Sequence, residues 1–571
     1  MARRFPGIFL RCAAVGASLL CGASVGVAQG TAPRISFTGA GRFLMQHDAL
    51  GGSIAEGDTV TPPRVMSGEA VFDFGIRARP DAATEVVAVT RVTSSLDGFW
   101  GQGVGFGVRE LYARGLIRGV VRYRIGDVDL QLTPLTLSNR NTDLGGGHPE
   151  MLRVWSDWID YDRFYRGGMW RQQGVDADAV LAVRPFDEVA IRGILAKNRG
   201  TDYFFTPDRL LGAWEAVGTR DSLRIGYRGV SLFDVPTTAQ FSEAASSTTV
   251  HTVNGSGPLT ANGTWGAEVG VSHRSHEGLP EAPEPATSEV AEAWTRWNRP
   301  AGAWTFTVRH VSSGFRSPGA QSRQVDFGAT AATWPFVTNR EVVRTLTPAD
   351  LLQDGGVYRP AIAPGLQAYS PIYRAVEPYG PATPNRQSVT AGFTGKSVAV
   401  EAILAQEAVG EGIAERRRMA ALQATASRTA VLAGRPLRID GLLRTERTAR
   451  PGLADLGPGF DGIGEVDWMN ARAELGLQWE PEPDAALHAA VLAVTARGTD
   501  YLAVRDGYDR ITDYTAFDAT YTAWLATAGV MYRFTPSSRL NIQYRTQWVD
   551  DADAPGTFGW NQWTFLYTLF F

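Results

Sequence analysis

The chain has 571 residues, a formal net charge of −4 and only two cysteines, Cys12 and Cys21, both close to its start. Beyond residue 21 there is therefore no cysteine for a disulfide or for a cysteine-based zinc or iron–sulfur site. The mild acidity, with arginines spread singly along strand-like segments, argues against a nucleic-acid-binding protein, which concentrates basic charge in a patch.

The first 28 residues have the composition of a secretory signal peptide. Three arginines precede a run of small and apolar residues from 12 to 27, and Gly26-Val27-Ala28 offers a small-x-small cleavage site. The run is also shorter than the roughly 20 residues of a spanning helix. We predict cleavage near Ala28, which removes three positive charges and changes the net charge from −4 to −7. Cys21 leaves a lipoprotein anchor as an alternative, although Leu20 stands where a small residue is preferred.

Residues 29–571 consist mostly of runs of about ten residues in which apolar and polar side chains alternate. Turn residues separate these runs, as is typical of the strands of a membrane β-barrel. In chain order, we predict strands at 35–45, 70–78, 84–93, a hairpin within 105–132, 175–183, 189–197, 211–218, 223–232, 290–298, 303–311, 389–393, 398–405, 418–430, 437–446, 469–479, 487–496, 524–534, 540–548 and 563–571. Two weaker segments, 248–253 and 265–273, raise the count from about 20 to about 22, and we predict an even number in the range of roughly 18 to 22.

Short turns and long connections alternate along the predicted strands, as expected of a barrel with both termini on the periplasmic side. Long outer loops are predicted at 133–174, 312–387 and 447–467. The first is rich in Asn, Gly, Asp and Trp and is too long for a tight turn. We predict that this loop folds inward and narrows the pore.

The C-terminal strand has one unbroken apolar and aromatic face, formed by Trp563, Phe565, Tyr567, Leu569 and Phe571. This ending resembles the C-terminal signature of bacterial outer-membrane β-barrel proteins. The resemblance implies that the last strand closes the barrel against the first and contacts the barrel-assembly machinery, and that the protein lies in the outer membrane of a Gram-negative-type bacterium. The size and the arginine-bearing strands are most similar to the alginate-export type of porin-like channel.

We therefore predict an all-β fold, a single large antiparallel transmembrane β-barrel. In lipid every backbone polar group needs a partner within the protein, so strands can span the membrane only in a closed barrel. In 540–548, for example, the even positions would mostly face lipid and the odd positions the lumen. A soluble β-sandwich would also alternate, and it is the alternative fold.

Charged side chains lie opposite the apolar stripes. We predict that these side chains line the pore. The predicted pore-lining residues are Arg77, Arg79, Arg122, Arg124, Arg184, Arg192, Arg224, Arg296, Arg438, Arg545, Asp73, Asp176, Asp178 and Glu474. Rings of fixed charge set the selectivity of aqueous pores, and guanidinium groups suit carboxylate or phosphate solutes. One hypothesis is thus an anion-preferring pore. The other is a lattice of mutually neutralising ion pairs that only supports the barrel wall.

No pattern in the sequence indicates catalysis, a metal or a cofactor. Residues 390–397 end like a phosphate-binding loop but lack its first glycine, so we predict a hairpin turn. His273 and His276 are close in sequence, yet on a strand their spacing would place the rings on opposite faces. The predicted function is passive passage of small or polymeric, anionic solutes. The alternative is a structural or attachment barrel with a plugged lumen, which binds a partner through its outer loops.

Overall fold

The structure is a computed structural model that describes residues 34–52, 64–95, 103–128, 130–138, 172–198, 208–235, 245–277, 284–317, 319–320, 381–410, 414–452, 464–505, 511–551 and 557–571. The regular elements in these ranges are strands: β1 (Ile35–Gly51), β2 (Arg64–Ala78), β3 (Thr84–Ser95), β4 (Val104–Ile117), β5 (Val121–Val128), β6 (Leu137–Ser138), β7 (Gln172–Leu181), β8 (Glu188–Asn198), β9 (Asp208–Arg220), β10 (Leu223–Val235), β11 (Ala245–Thr260), β12 (Gly263–Glu277), β13 (Ala286–Arg299), β14 (Gly302–Val311), β15 (Gly319–Ala320), β16 (Arg386–Gly395), β17 (Val398–Gln406), β18 (Arg418–Leu432), β19 (Arg435–Arg450), β20 (Val466–Glu482), β21 (Ala485–Arg505), β22 (Ile511–Thr535), β23 (Ser538–Asp551) and β24 (Phe558–Phe570). Among these described residues, none belongs to a helix long and apolar enough to cross a membrane. The predicted signal peptide, residues 1–28, lies outside the described ranges and stays a prediction.

The strands form one closed antiparallel barrel of 22 strands. Each barrel strand pairs with the next along the chain, and β24 pairs with β1 with Ala40 opposite Phe570. This confirms the predicted fold class and the even strand number. The weaker segments 248–253 and 265–273 are full strands, β11 and β12, so the larger predicted count is correct.

The barrel has one end with short turns and one end with longer connections. The short-turn end carries the start of β1 and the end of β24, and we name it the turn side. In the turn after β2, the Ala83 N–H donates to the Asp81 carboxylate at 2.7 Å, which lowers the pKa of Asp81. At the opposite end, the loop side, the predicted loop 447–467 is shorter than expected because β19 continues to Arg450.

Side-chain exposure is reversed relative to a soluble protein, in which apolar side chains are buried and charged ones exposed. Large apolar residues such as Phe72 and Ile76 are exposed on the outer face of β2, whereas Asp73 between them is buried on the inner face. On β23, the inward-facing Gln543 and Arg545 are likewise buried. Because side chains alternate along a strand, the apolar positions cover the outside of the barrel and the polar positions its inside.

Candidate pore lining and the segments inside the barrel

A set of inward-facing arginines lies near the turn-side ends of strands around the barrel. We name them the mouth arginines, and they are Arg77 on β2, Arg114 on β4, Arg122 on β5, Arg192 on β8, Arg224 on β10, Arg296 on β13 and Arg438 on β19. All except Arg114 were predicted to line the pore. Arg114 lies in the predicted hairpin 105–132, but no face was predicted for it.

Several mouth arginines form ion pairs in which the guanidinium group is the more exposed partner. Arg122 Nη2 lies 2.5 Å from the Asp178 carboxylate, and the side chains are 67% and 22% exposed. Arg438 Nε lies 2.9 Å from the Asp440 carboxylate, with exposures of 43% and 14%. The carboxylates thus lie in the wall, while the guanidinium groups extend into the lumen.

Glu85 on β3 is shared by three arginines of the turn side. Arg114 Nη2 lies 2.5 Å from one of its oxygens, and Arg77 Nε and Arg79 Nη2 each lie 3.2 Å from the other. Glu85 is buried, whereas Arg79 and Arg114 are exposed. One carboxylate therefore anchors three guanidinium groups and leaves this part of the mouth with excess positive charge.

Two other predicted arginines are also paired. Arg192 Nη2 lies 2.8 Å from the buried Asp176, and Arg124 Nη2 lies 3.0 Å from Glu110 on β4. Pairing of β7 with its neighbours brings Asp176 and Asp178 opposite arginines on β5 and β8.

Of the remaining mouth arginines, Arg224 and Arg296 are exposed on strands, and Arg296 Nε donates to Asn298 Oδ1 at 3.4 Å. Arg184, also predicted to line the pore, is not on a strand but in the turn between β7 and β8, where it is exposed. All three thus lie at the turn side of the barrel.

The predicted residues further from the turn side are on the inner face but buried. Asp73 accepts two hydrogen bonds of 2.6 Å from Arg91, and its side chain is only 2% exposed. Glu474 is paired with Arg472. Arg545 donates to Gln562 at 2.6 Å. These groups are held within the polar wall rather than presented to the lumen.

The predicted closure residues Trp563, Phe565, Tyr567, Leu569 and Phe571 lie at and just beyond β24, next to β1. Trp563 is opposite His47 and Leu569 is opposite Gly41. The Phe571 ring stacks on Phe72 of β2 with centroids 5.7 Å apart. The apolar face of the last strand thus continues across β1 to the outer face of β2.

Residues 130–138, which follow β5, lie inside the barrel. Leu130 and Leu137 pack against an apolar patch of the inner wall that contains Ile194 of β8, Ala213 of β9 and Val230 of β10. All of these side chains are buried. Exposure of this apolar patch to water in the lumen would be unfavourable, and Leu130 and Leu137 bury it.

A second segment after β14, residues 312–317 and 319–320, lies beside the first. Phe315 packs with Leu135 against Val250 and Val311 of the inner wall. The two segments are joined by parallel pairing of β6 with β15 and by a hydrogen bond of 2.8 Å from the Ser317 hydroxyl to the Thr136 carbonyl. Together we name residues 130–138, 312–317 and 319–320 the inner clasp.

Hydrogen bonds also attach the inner clasp to the wall. The Thr133 hydroxyl donates to Glu268 Oε1 of β12 at 2.8 Å, and the Arg316 N–H donates to the Ser272 hydroxyl of the same strand at 3.0 Å. Apolar side chains of the inner clasp therefore pack against β8 to β11, β13 and β14, and its hydrogen bonds to the wall are made with β12.

A pattern in the sequence indicates the apolar patch on the inner wall against which the inner clasp packs. At the loop-side ends of β8 and β9, neighbouring residues on both faces are apolar, as in Ile194-Leu195 and Leu210-Leu211. A strand with water on one side would carry a polar residue at one position of each pair. The loss of alternation indicates an inner face covered by protein.

His273 and His276 lie on β12, and their side chains point to opposite faces. The His273 ring contacts the Thr287 hydroxyl at 3.0 Å, and the His276 ring contacts the Ser246 hydroxyl at 2.8 Å. Both histidines lie on β12, which continues to Glu277, beyond the end of the predicted segment at residue 273. Within the described part of the chain, no group of three or more His, Cys, Asp or Glu residues could hold a metal ion.

Comparison with solved structures finds matches of low identity that cover most of the chain. They include the P pilus usher (PapC) translocation pore, at 8% identity and a TM-score of 0.37, covering 93% of this chain and 99% of that chain. Pseudomonas aeruginosa OpdL matches at 10% identity and a TM-score of 0.37, covering 94% and 99%. The outer membrane channel DcaP of Acinetobacter baumannii matches at 9% identity and a TM-score of 0.26, covering 94% and 97%.

No protein-family model and no curated protein matches this sequence. At these identities and TM-scores, the similarity to solved structures does not indicate which solute passes or what role any residue has. The fold rests instead on the closed strand pairing of the chain itself.

Proposed function

We propose that this protein is a porin-like channel of the bacterial outer membrane, through which hydrophilic solutes pass passively. The observation that supports it most is the reversed distribution of side chains on a closed barrel of 22 strands, apolar outside and charged inside. The outer face suits acyl chains, and closure pairs the backbone groups that lipid could not satisfy. We further propose that the C-terminal strand contacts the barrel-assembly machinery.

We propose that the solutes are small or polymeric anions, and that the mouth arginines select them. The supporting observation is the asymmetry of the ion pairs. At Glu85, Asp178 and Asp440 the carboxylate is shielded and the guanidinium group is exposed. An anion that enters from the turn side would meet guanidinium groups, which bind carboxylate and phosphate oxygens in a bidentate manner. No catalytic role is proposed for any residue.

Planar-bilayer recording in a salt gradient tests both parts of the proposal. The channel should conduct steadily, with a reversal potential that favours anions. Replacing Arg122 and Arg438 by serine should shift the reversal potential toward cations, because Asp178 and Asp440 are then left without their partner. Neutralising each pair as a whole, with Arg122→Ser/Asp178→Asn and Arg438→Ser/Asp440→Asn, should cause a smaller shift.

Arg545→Gln is the control variant. It removes an arginine that is buried in the wall instead of one that extends into the lumen. It should leave the reversal potential unchanged. If the Arg122 and Arg438 variants keep the wild-type reversal potential, the mouth arginines do not set selectivity.

A second function, a structural or attachment barrel with a plugged lumen, is favoured by one observation, the inner clasp. Two segments that pack inside the barrel reduce the space available for passage. The same recording separates the two functions. A folded barrel that inserts into the bilayer but remains silent would support the plugged barrel and contradict the channel.

A further inference from the structure

The outer face carries a group of arginines near the loop side. Arg418 is the first residue of β18, Arg447 lies near the end of β19, and Arg497 lies on β21. Each is exposed and stands an even number of positions from an exposed apolar residue of its own strand, namely Leu422, Leu443 and Val491. Side chains an even number of residues apart share a face of a strand, so the three arginines point outward.

Strand pairing brings these arginines together around β20. Met469 of β20 is opposite Arg447 on one side and opposite Arg497 on the other. Two strand spacings separate the Cα atoms of the two arginines, roughly 10 Å. Arg418 is opposite Ala449, two residues from Arg447, and is therefore its diagonal neighbour.

The side chains of Arg447 and Arg497 converge over β20 from opposite sides. Arg447 Nε donates to Asp467 Oδ1 at 3.0 Å, and Arg497 Nη2 lies 3.6 Å from the Met469 sulfur. The Arg447 and Asp467 side chains are 65% and 55% exposed, so their ion pair is a weak surface contact. Asp518 of β22 is also exposed on this face, opposite Thr499 and diagonal to Arg497. Three guanidinium groups therefore face two carboxylates here, and the cluster keeps an excess of one positive charge.

On the turn-side flank of this cluster, the outer faces of β18, β19 and β20 are apolar, with exposed Leu422, Leu443 and Leu475. The arginines thus lie where the apolar belt gives way to polar residues, the height at which lipid headgroups meet a barrel. Basic residues at this height attract anionic lipids, and guanidinium groups bind phosphate oxygens in pairs.

We propose that Arg418, Arg447 and Arg497 bind a phosphate group of an anionic lipid headgroup in the leaflet on the loop side. The source of the phosphate is a lipid because the side chains point outward, beside the acyl-chain surface, and away from the lumen. The proposal rests on the membrane placement proposed above, but it does not depend on passage of solutes.

Native mass spectrometry of the full barrel, loaded in detergent with a bisphosphorylated glycolipid (lipid A), tests the proposal. The wild-type protein should retain the lipid, and the double variant Arg447→Ser/Arg497→Ser should lose at least tenfold in retention. Arg428→Ser is the matched control. Arg428 is an exposed, outward-facing arginine of β18 near the turn side, and its replacement should leave retention unchanged.

Two further arms identify the ligand. The wild-type barrel should retain the glycolipid without its phosphates only poorly. This retention should equal that of lipid A by the double variant. Inorganic phosphate at millimolar concentration should not displace the lipid. Displacement would indicate a site for free phosphate and would overturn the lipid assignment.

Asp467→Asn keeps all three arginines and should raise retention, because it removes the carboxylate that Arg447 binds. Equal retention by the wild-type and double-variant barrels, equal loss in Arg428→Ser, or lower retention in Asp467→Asn would overturn the proposal. Bilayer insertion and conductance are recorded for each variant. A barrel that inserts but is silent contradicts the channel alone, whereas one that does not insert contradicts the membrane placement on which both proposals depend.

Discussion

Gly39 on β1 and the C-terminal Phe571 exchange two backbone hydrogen bonds where the barrel closes. The Gly39 N–H donates to the Phe571 carbonyl at 2.9 Å, and the Phe571 N–H donates to the Gly39 carbonyl at 3.1 Å. The Phe571 ring occupies the space in which a Gly39 side chain would stand, and it stacks on Phe72. Glycine is therefore required at this position for the terminal ring to lie on the first strand.

Gly39→Ala should destabilise the closed barrel, because its Cβ would overlap the Phe571 ring. We expect a loss of about 1–3 kcal/mol, as is usual for overpacking. Unfolding in urea from lipid vesicles, followed by tryptophan fluorescence, measures this loss. Gly41→Ala, on the same face of β1, is the control, because its Cβ would make ordinary contacts of 3.7 Å with Leu569 and 3.8 Å with Phe72.

The clash with Phe571 can be isolated in a double-mutant cycle. In a Phe571→Ala background, Gly39→Ala should cost close to nothing, because the ring that it would displace is already absent. If the two substitutions are additive, the ring is not the cause of the Gly39 requirement.

Asp73→Ala should destabilise the barrel strongly. It leaves the buried Arg91 without the carboxylate to which it donates two hydrogen bonds of 2.6 Å. Breaking a buried pair by removing one partner costs about 3–5 kcal/mol. The matched control is Asp178→Ala, since its partner Arg122 is mostly exposed, and such pairs contribute about 0–1 kcal/mol. Equal losses in urea unfolding would show that burial does not set the strength of these pairs.

Leu137→Asp should detach the inner clasp from the wall and raise single-channel conductance. The carboxylate would have to be buried among Leu130, Ile194 and Val230, and an unpaired buried charge costs more than the apolar contacts of the segment contribute. Leu137→Met keeps the apolar volume and should conduct like the wild type. Unchanged conductance in Leu137→Asp would mean that the clasp does not limit passage.

The exported protein should begin at Gln29 if Ala28 is the last residue of the signal peptide. N-terminal sequencing of protein from the outer-membrane fraction checks this prediction. A lipid-modified N-terminus at Cys21 would support the lipoprotein alternative instead.

Alternation along the chain determined the barrel, its faces and an even strand number of roughly 18 to 22, because the direction of a side chain on a strand is a local property with a period of two residues. The segment 540–548 shows this, since Gln543 and Arg545 are on the inner face as predicted. The weak segments 248–253 and 265–273 left the count open between about 20 and about 22, and the structure decides it, because β11 and β12 are both strands of the barrel.

The tertiary structure decided which charges meet and what covers the inner wall. Asp73 meets Arg91 because the register of β2 with β3 places them opposite each other, and register is not readable from either strand alone. The same holds for Asp178, which pairs with an arginine 56 residues earlier in the chain. Leu137 lies on Val230 because two connections that leave different strands fold back into one lumen. These contacts join residues distant in the chain, and only closure of the barrel brings them within reach.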